Sequence, residues 1–125
     1  MSVTDDNKEL VRRYFDERWN HSNYDVIDEL VASAEDIADA KEGLAYVEAA
    51  FGDIEMTVSD LTAEDDRVAV RWQSSGIHKG EYLGVAPSGE RVTFEGLALL
   101  RIADGKIVED VAYGDNAVVL LGLEW

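Results

Sequence analysis

DRVAVRWQSSGIHKGEYLGVAPSGERV, Asp66 to Val92, decides how the rest of the chain is read. Val68, Val70, Trp72 and Ser74 share one face of an extended segment, with Arg71 and Gln73 on the other, the two-residue period of a half-buried strand. Counting on through Gly76 keeps His78 on the face of Trp72, provided no bulge intervenes. Gly84 to Gly89, GVAPSG, contains the only proline, Pro87, and carries the turn chemistry of a long hairpin connection.

The same period extends to both sides. Ile54, Met56 and Val58 alternate with Glu55, Thr57 and Ser59, and Glu64-Asp65-Asp66 forms a polar turn into the strand above. After the hairpin connection a third strand spans about Arg91 to Ile102, and Asp104-Gly105 signals a tight turn. A fourth strand runs from Lys106 to about Asp115, where unbroken alternation puts Ile107, Glu109, Val111, Tyr113 and Asp115 on one face. The apolar end, Ala117 to Trp125, is predicted to pack back on the sheet.

Before Ile54 the period is helical. A first helix capped by Thr4 or Asp5 runs to about Asn20, with Leu10, Val11, Tyr14, Phe15 and Trp19 as its apolar stripe. His21-Ser22-Asn23 is a turn and cap, followed by a second helix with Tyr24, Ile27, Leu30 and Val31 inward. A third helix lies within roughly Ala34 to Phe51, burying Ile37, Ala40, Leu44, Val47 and Phe51, and Gly43 is a candidate for its true beginning. Helices first and then a meander of long strands predict one α+β domain over residues 1–125. The helices cover one face of a sheet that curls around them and leaves a cavity at its open end.

Composition sets outer bounds. The chain of 125 residues has room for one core, and a hydrophobic fraction of 46% suffices to build it. No stretch of 18 apolar residues exists to span a membrane, and the opening MSVTDDNKEL predicts no secretory signal. Cysteine is absent, which excludes disulfides, thiolate metal sites and thiol catalysis. Asp and Glu number 27 against 11 Lys and Arg, a formal charge of −16 that disfavours nucleic acid and anionic lipid as partners. Molar salt shrinks the screening length to roughly 3 Å and removes most of the self-repulsion. Only Lys8, Lys41, Lys79 and Lys106 are lysines, so the composition reads as adaptation to a salty cytoplasm. There is no Gly-x-Gly-x-x-Gly, phosphate loop, Gly-x-Ser-x-Gly elbow or basic aromatic patch, so nucleotide cofactors, serine hydrolysis and nucleic-acid binding lack support. His21 and His78 are too far apart in sequence for a zinc-ligand spacing, and no metal is expected.

NKELVRRYFDERWN (Asn7 to Asn20) with YDVIDELV (Tyr24 to Val31), the Asp66 to Val92 block, and LLRIADGKIVED (Leu99 to Asp110) with Asp115 resemble the SnoaL-like polyketide cyclases of the nuclear transport factor 2-like superfamily. The middle block is the most specific, joining a strand, His78-x-Gly80 and the Leu83-Gly84-x-x-Pro87-x-Gly89 turn in the family's order. The resemblance implies a cone-shaped roll of three helices on a strongly curved, mainly antiparallel sheet, with a deep apolar pocket. It also implies pairing of two copies through the sheet's outer face, and aldol ring closure of a polyketide ester without metal or cofactor. In that scheme an acidic residue after the last strand, here Asp115, removes a proton from an activated carbon. The chain departs from the family in its shortened Val31 to Gly43 segment, where Asp36 and Asp39 stand in place of an aromatic and a histidine. Asp110-Val111 likewise replaces a His-Trp pair.

Candidate site residues follow. Asp115 is the candidate general base, since proton removal beside a carbonyl needs a carboxylate made more basic by an apolar wall. His78 is the candidate hydrogen-bond donor to the enolate oxygen. Tyr14, Trp19, Tyr46, Trp72, Phe94 and Tyr113 are candidates for an aromatic wall against a flat, apolar small molecule. Glu109, six residues from Asp115 along an extended strand and so roughly 20 Å away, is read as structural. Three functions remain open: a cofactor-independent cyclase or isomerase, a binding module for a hydrophobic small molecule, and a dimeric interaction domain.

Overall fold

The computed structural model describes residues 2–122. Helix α1 (Val3–Phe15) is capped by Ser2, two residues before Thr4 and three before Asp5, because the Ser2 hydroxyl accepts from the Asp5 N–H at 3.1 Å. Thr4 and Asp5 lie inside its first turn instead. The helix continues through a π-helical turn (Asp16–Asn20), so the predicted end at Asn20 stands. Such a turn widens the helix by one residue and is held here by a side chain. The Asn20 amide donates to the Met56 carbonyl at 2.9 Å and its oxygen accepts from the Met56 N–H at 2.7 Å. These two bonds fix Arg18 and Trp19, inside the widened turn, relative to the sheet.

Helix α2 (Tyr24–Leu30) is capped by Asn23, as its sequence predicts. Helix α3 (Ala34–Ala50) is capped by Ser33, whose hydroxyl accepts from the Asp36 N–H. It passes through Gly43 without a break, so Gly43 does not mark its beginning. A cap of about 1 kcal/mol offsets the cost of one helical glycine.

Four strands follow: β1 (Phe51–Glu64), β2 (Arg67–His78), β3 (Arg91–Ala103) and β4 (Lys106–Gly114). They form one antiparallel, curved sheet in the order β1-β2-β3-β4. Asp104 and Gly105 both take positive φ, the conformation a two-residue hairpin turn requires. On β2 the alternation is unbroken, with Val68, Val70, Gly76 and His78 buried and Trp72 half-buried between them. Val68, Val70 and Trp72 meet Val11, Tyr14, Phe15, Ile27, Leu44, Leu100 and Ile107 in the main core, which the helices cover.

On β4 the alternation breaks. Arg101 pairs with Glu109 while Ile102 pairs with Ile107, so Val108 is an extra residue in a β-bulge. A one-residue insertion reverses the facing of everything after it. Glu109, Val111 and Tyr113 therefore turn outward, opposite Arg101, Leu99 and Leu97, and Asp110, Ala112 and Gly114 turn inward. This corrects the single face predicted for Ile107 to Asp115. The bulge has a tertiary neighbour: the Ile107 carbonyl accepts from the Ala32 N–H at 2.9 Å, and Val31 bridges to Ile107. The link between α2 and α3 is thus stitched to β4 where the strand changes face.

Beyond β4 a short helix, α4 (Asn116–Leu121), places Leu120 against Phe51 and Phe94, as predicted for the apolar end. Leu123, Glu124 and Trp125 lie outside the described residues. No helix among the described residues is long and apolar enough to cross a membrane, and no group of three or more His, Asp or Glu side chains there is arranged to hold a metal ion.

Candidate functional site

The open end of the curved sheet holds a cavity of about 240 Å³. Trp72 and Phe94 contribute from the sheet, Phe15 and Trp19 from the first helical segment, and Phe51 with Tyr82 close the far side. Ala112 and Gly114 complete the inward face of β4, and Ser74, Ser75 and Asn116 add the few neutral polar groups. Two charged residues stand on this mostly apolar wall, Arg18 and Asp110.

The same two residues line a second, more polar cleft with Tyr14, Asp36, Asp39 and Glu109. Asp110 is therefore reached from both sides. Asp110 is exposed to water where the cavity and the cleft open, and neighbouring protein atoms crowd only part of its surroundings. This partial desolvation pushes its pKa above the ordinary carboxylate value. The positive charge of Arg18 opposes the shift, and the negative charge of Asp36 adds to it.

Arg18 is held firmly. It donates to the Tyr14 hydroxyl at 3.0 Å and to the Ala40 carbonyl at 3.1 Å, and its guanidinium lies 4.5 Å from the Trp19 ring centroid. Its Nε is buried without a hydrogen-bond partner among the described residues. Tyr14 is held neutral by burial, which raises its pKa, with the Arg18 charge acting the other way. Tyr14, Arg18 and Asp110 form a polar cluster at the boundary between cavity and cleft.

The predicted site residues separate into two groups. Trp19, Trp72 and Phe94 line the cavity as expected. Tyr14 lines the polar cleft instead, because its position on the helix turns it toward Arg18. Tyr46 is half-exposed and outside the cavity wall; its hydroxyl accepts from the Leu83 N–H at 3.2 Å and its ring lies 5.3 Å from Tyr82, so it props the β2–β3 connection. Tyr113 touches the cavity rim, but the bulge has turned its side chain to the outer face, where it is 76% exposed.

Neither of the two predicted catalytic residues is among those lining the cavity. His78 does face inward, but it is 1% exposed and lies against the Phe51 ring, 5.2 Å between centroids, with Nε2 unpartnered. Phe51, and not His78, presents its surface to the hollow. Asp115 follows β4, where strand parity no longer applies, and its Oδ1 accepts from the Glu95 N–H at 2.8 Å. Its own N–H donates to the Glu95 carbonyl at 3.1 Å. Asp115 thus ties the end of β4 and the start of α4 to β3.

Arg18 and Asp110 were missed for different reasons. Arg18 stands four residues after Tyr14 and three after Phe15, on the buried stripe, and a charge at that spacing was a readable signal. Asp110 had none, because its inward facing depends on the bulge.

The comparisons agree with this geometry. AclR of Streptomyces galilaeus, assigned as a hydroxylase, is 28% identical with a TM-score of 0.80, over 98% of this chain and 85% of its own. A protein of Jannaschia sp. CCS1 assigned as a SnoaL-like polyketide cyclase is 28% identical with a TM-score of 0.82, over 96% and 95%. IdmH of Streptomyces antibioticus, assigned as a polyketide cyclase, is 26% identical with a TM-score of 0.77, over 93% and 96%. No curated protein is matched. These likenesses support a small-molecule enzyme in general terms. Because the sequence profile of the SnoaL-like polyketide cyclases matches residues 9–123, nearly the whole of the sheet and helices described above, the chain belongs to that family.

Proposed function

We propose that the chain catalyses a cofactor-independent proton transfer at a carbon next to a carbonyl, as an aldol cyclase or isomerase of an apolar substrate, with Asp110 as the base. The observation that carries this reading is a carboxylate of raised pKa on the wall of an apolar cavity, beside a fixed guanidinium. The ionised Asp110 takes the proton from the activated carbon. The C–H electron pair becomes the enolate double bond, and negative charge gathers on the carbonyl oxygen, where Arg18 stabilises it. The enolate carbon then attacks a second carbonyl of the same molecule, and the new alkoxide recovers the proton from Asp110. No redox equivalent is consumed.

D110N tests this against D115N, which keeps the oxygen that accepts from Glu95. With a β-keto ester probe in deuterated water, D110N should slow deuterium wash-in at least about 100-fold, while D115N stays within a few-fold of the parent. The reverse pattern returns the catalytic role to Asp115. A non-catalytic binding module is the second reading, favoured by the pull of Arg18 on Asp110 toward an ordinary, weakly basic carboxylate. Unchanged wash-in in both variants, with the probe still bound, selects it.

We also infer pairing of two copies through the outer face of the sheet. The bulge brings Val111 and Tyr113 beside Leu99 and Leu97 there, four exposed apolar side chains in register on neighbouring strands. Sedimentation of a Leu97→Asp, Tyr113→Asp chain should give monomer where the parent gives dimer, and a monomeric parent refutes the pairing. The acidic composition supports a salty cytoplasm as the setting.

A further inference from the structure

Tyr82 reaches the cavity from the β2–β3 connection, and Asn116 from the first turn of α4. The Asn116 amide donates to the Tyr82 hydroxyl at 3.4 Å. Among the described residues the Tyr82 O–H itself has no acceptor. Burial raises the Tyr82 pKa, with the Asn116 bond acting the other way, so the phenol stays protonated and keeps a hydrogen to donate.

Separate features hold this pair in place. Lys79 and Gly80 donate to the Ala50 carbonyl at 2.8 and 3.0 Å. A Cβ built on Gly80 would stand 2.4 Å from the Ala49 carbonyl oxygen, so glycine lets the connection press on the end of α3. Tyr82 and Val85 then exchange two backbone bonds, at 3.1 and 2.9 Å, around Leu83, which takes a positive φ of 52° while half-exposed. A leucine rarely adopts that conformation, and it persists where the surroundings over-determine it. Here the Leu83 N–H donates to the Tyr46 hydroxyl, and the Tyr82 ring packs against Tyr46 and Phe51. On the other side, a Cβ on Gly114 would stand 2.6 Å from Asn116 Oδ1 and 2.9 Å from Trp72 Cη2. The Asn116 side chain therefore folds back over the strand, beside the indole.

Asp110 and Gly114 are four residues apart, roughly 13 Å along β4. The cavity thus has a charged pair, Arg18 with Asp110, at one station and a neutral pair, Tyr82 with Asn116, at another. An oxygen that meets Tyr82 is a different atom from the enolate oxygen at Arg18. It is an uncharged acceptor, since Arg18 is the only cation lining the cavity among the described residues.

We propose that Tyr82 is a further substrate-binding residue, donating a hydrogen bond to a neutral oxygen remote from the acidic carbon, with Asn116 as its positioning residue. The preferred substrate is then a carbonyl compound with a second, uncharged oxygen function at its far end. The proposal rests on the preceding reading of the cavity as the site of proton transfer at Asp110. Deuterium wash-in by the full chain tests it with ethyl benzoylacetate and its 4-acetyl and 3-acetyl ring derivatives, which add the remote oxygen at two positions. Y82F keeps the ring and its packing and removes only the hydroxyl. It should lower kcat/KM for at least one acetyl probe about fivefold or more relative to its effect on the unsubstituted probe, the scale of one neutral hydrogen bond, with the loss in KM. Asn116→Ala should shift the same ratio by a smaller factor. Comparing variant with parent on each probe cancels the different acidities of the probes. An equal effect of Y82F on all three probes assigns Tyr82 a packing role and overturns the proposal while the Asp110 reading stands, and no effect on any probe does the same. Absence of wash-in by the parent with every probe overturns the Asp110 reading, and the proposal falls with it.

Discussion

Asp110 and Asp115 are the same side chain five residues apart, and the structure gives them opposite surroundings. Asp110 stands on an apolar wall, exposed at its openings but desolvated enough to raise its pKa, and is reached from a cavity on one side and a polar cleft on the other. Asp115 sits past the strand end and accepts a backbone N–H from Glu95, a bond that uses its negative charge to finish the sheet. The difference teaches that position sets a carboxylate's role: the inserted Val108 turns Asp110 to the inner face, while Asp115 lies beyond the strand and closes its end.

The contrast can be broken or sharpened by substitution. The largest effect is expected at Arg18, which supports the enolate oxygen in the proposed reaction. R18M should reduce turnover of a β-keto ester probe about 100-fold or more, the scale of losing one preorganised donor. It should also move the acid limb of the pH–rate profile to higher pH, because the charge that lowers the Asp110 pKa is gone. Loss of rate with an unmoved limb separates Arg18 from Asp110.

Stability should respond in opposite directions at the two carboxylates. D115A removes the partner of the exposed Glu95 N–H and should cost about 0.5–1.5 kcal/mol in urea unfolding. D110N should raise Tm at neutral pH. The sign follows from the raised folded-state pKa: the folded chain holds the Asp110 proton more tightly than the unfolded chain does. Stability from that proton is present below the unfolded pKa and fades as pH climbs through the folded one, so at neutrality the ionised group is a cost that Asn removes. A destabilised D110N removes the distinction drawn above.

A subtler change belongs to Asp36, across the cleft from the apolar cavity. D36N removes a charge that raises the Asp110 pKa, so the acid limb should shift to lower pH with little change in the plateau rate. An unmoved limb would show that the cleft does not tune the base. The weakest effect per site comes from the surface as a whole. With a charge of −16, Tm should climb between low and molar KCl, and equally in D110N and D115N. A flat response refutes the salt adaptation.

How much of this was legible in the sequence differs between strands. β2 reads directly, because Val68 through His78 keep one period and nothing outside the strand interferes. The Asp104-Gly105 hairpin reads as directly, since its conformation is local. The α+β order, the cavity and three of its aromatic walls came from the same kind of signal. β4 does not read this way. Its bulge coincides with a bond from Ala32, 75 positions earlier in the chain, to the Ile107 carbonyl, and no local pattern contains that. Carrying parity through Val108 puts Tyr113 on the inner face, although it reaches only the cavity rim from the outer one, places Asp115 in the cavity, and hides Asp110. The start of α1 differs more simply, since Ser2, two residues before Thr4 and three before Asp5, takes the cap. His78 was assigned the right face and the wrong neighbour, because Phe51 covers it from a different element.

The most direct test is a carbon-13 NMR titration of the Asp110 carboxyl group in the full chain, identified by its loss in D110N. Its midpoint should lie clearly above the ordinary aspartate value of about 3.9 and fall when Asp36 is replaced by Asn. A midpoint at or below the ordinary value would mean the apolar wall does not make this carboxylate more basic, and the proton-abstraction reading would lose its footing.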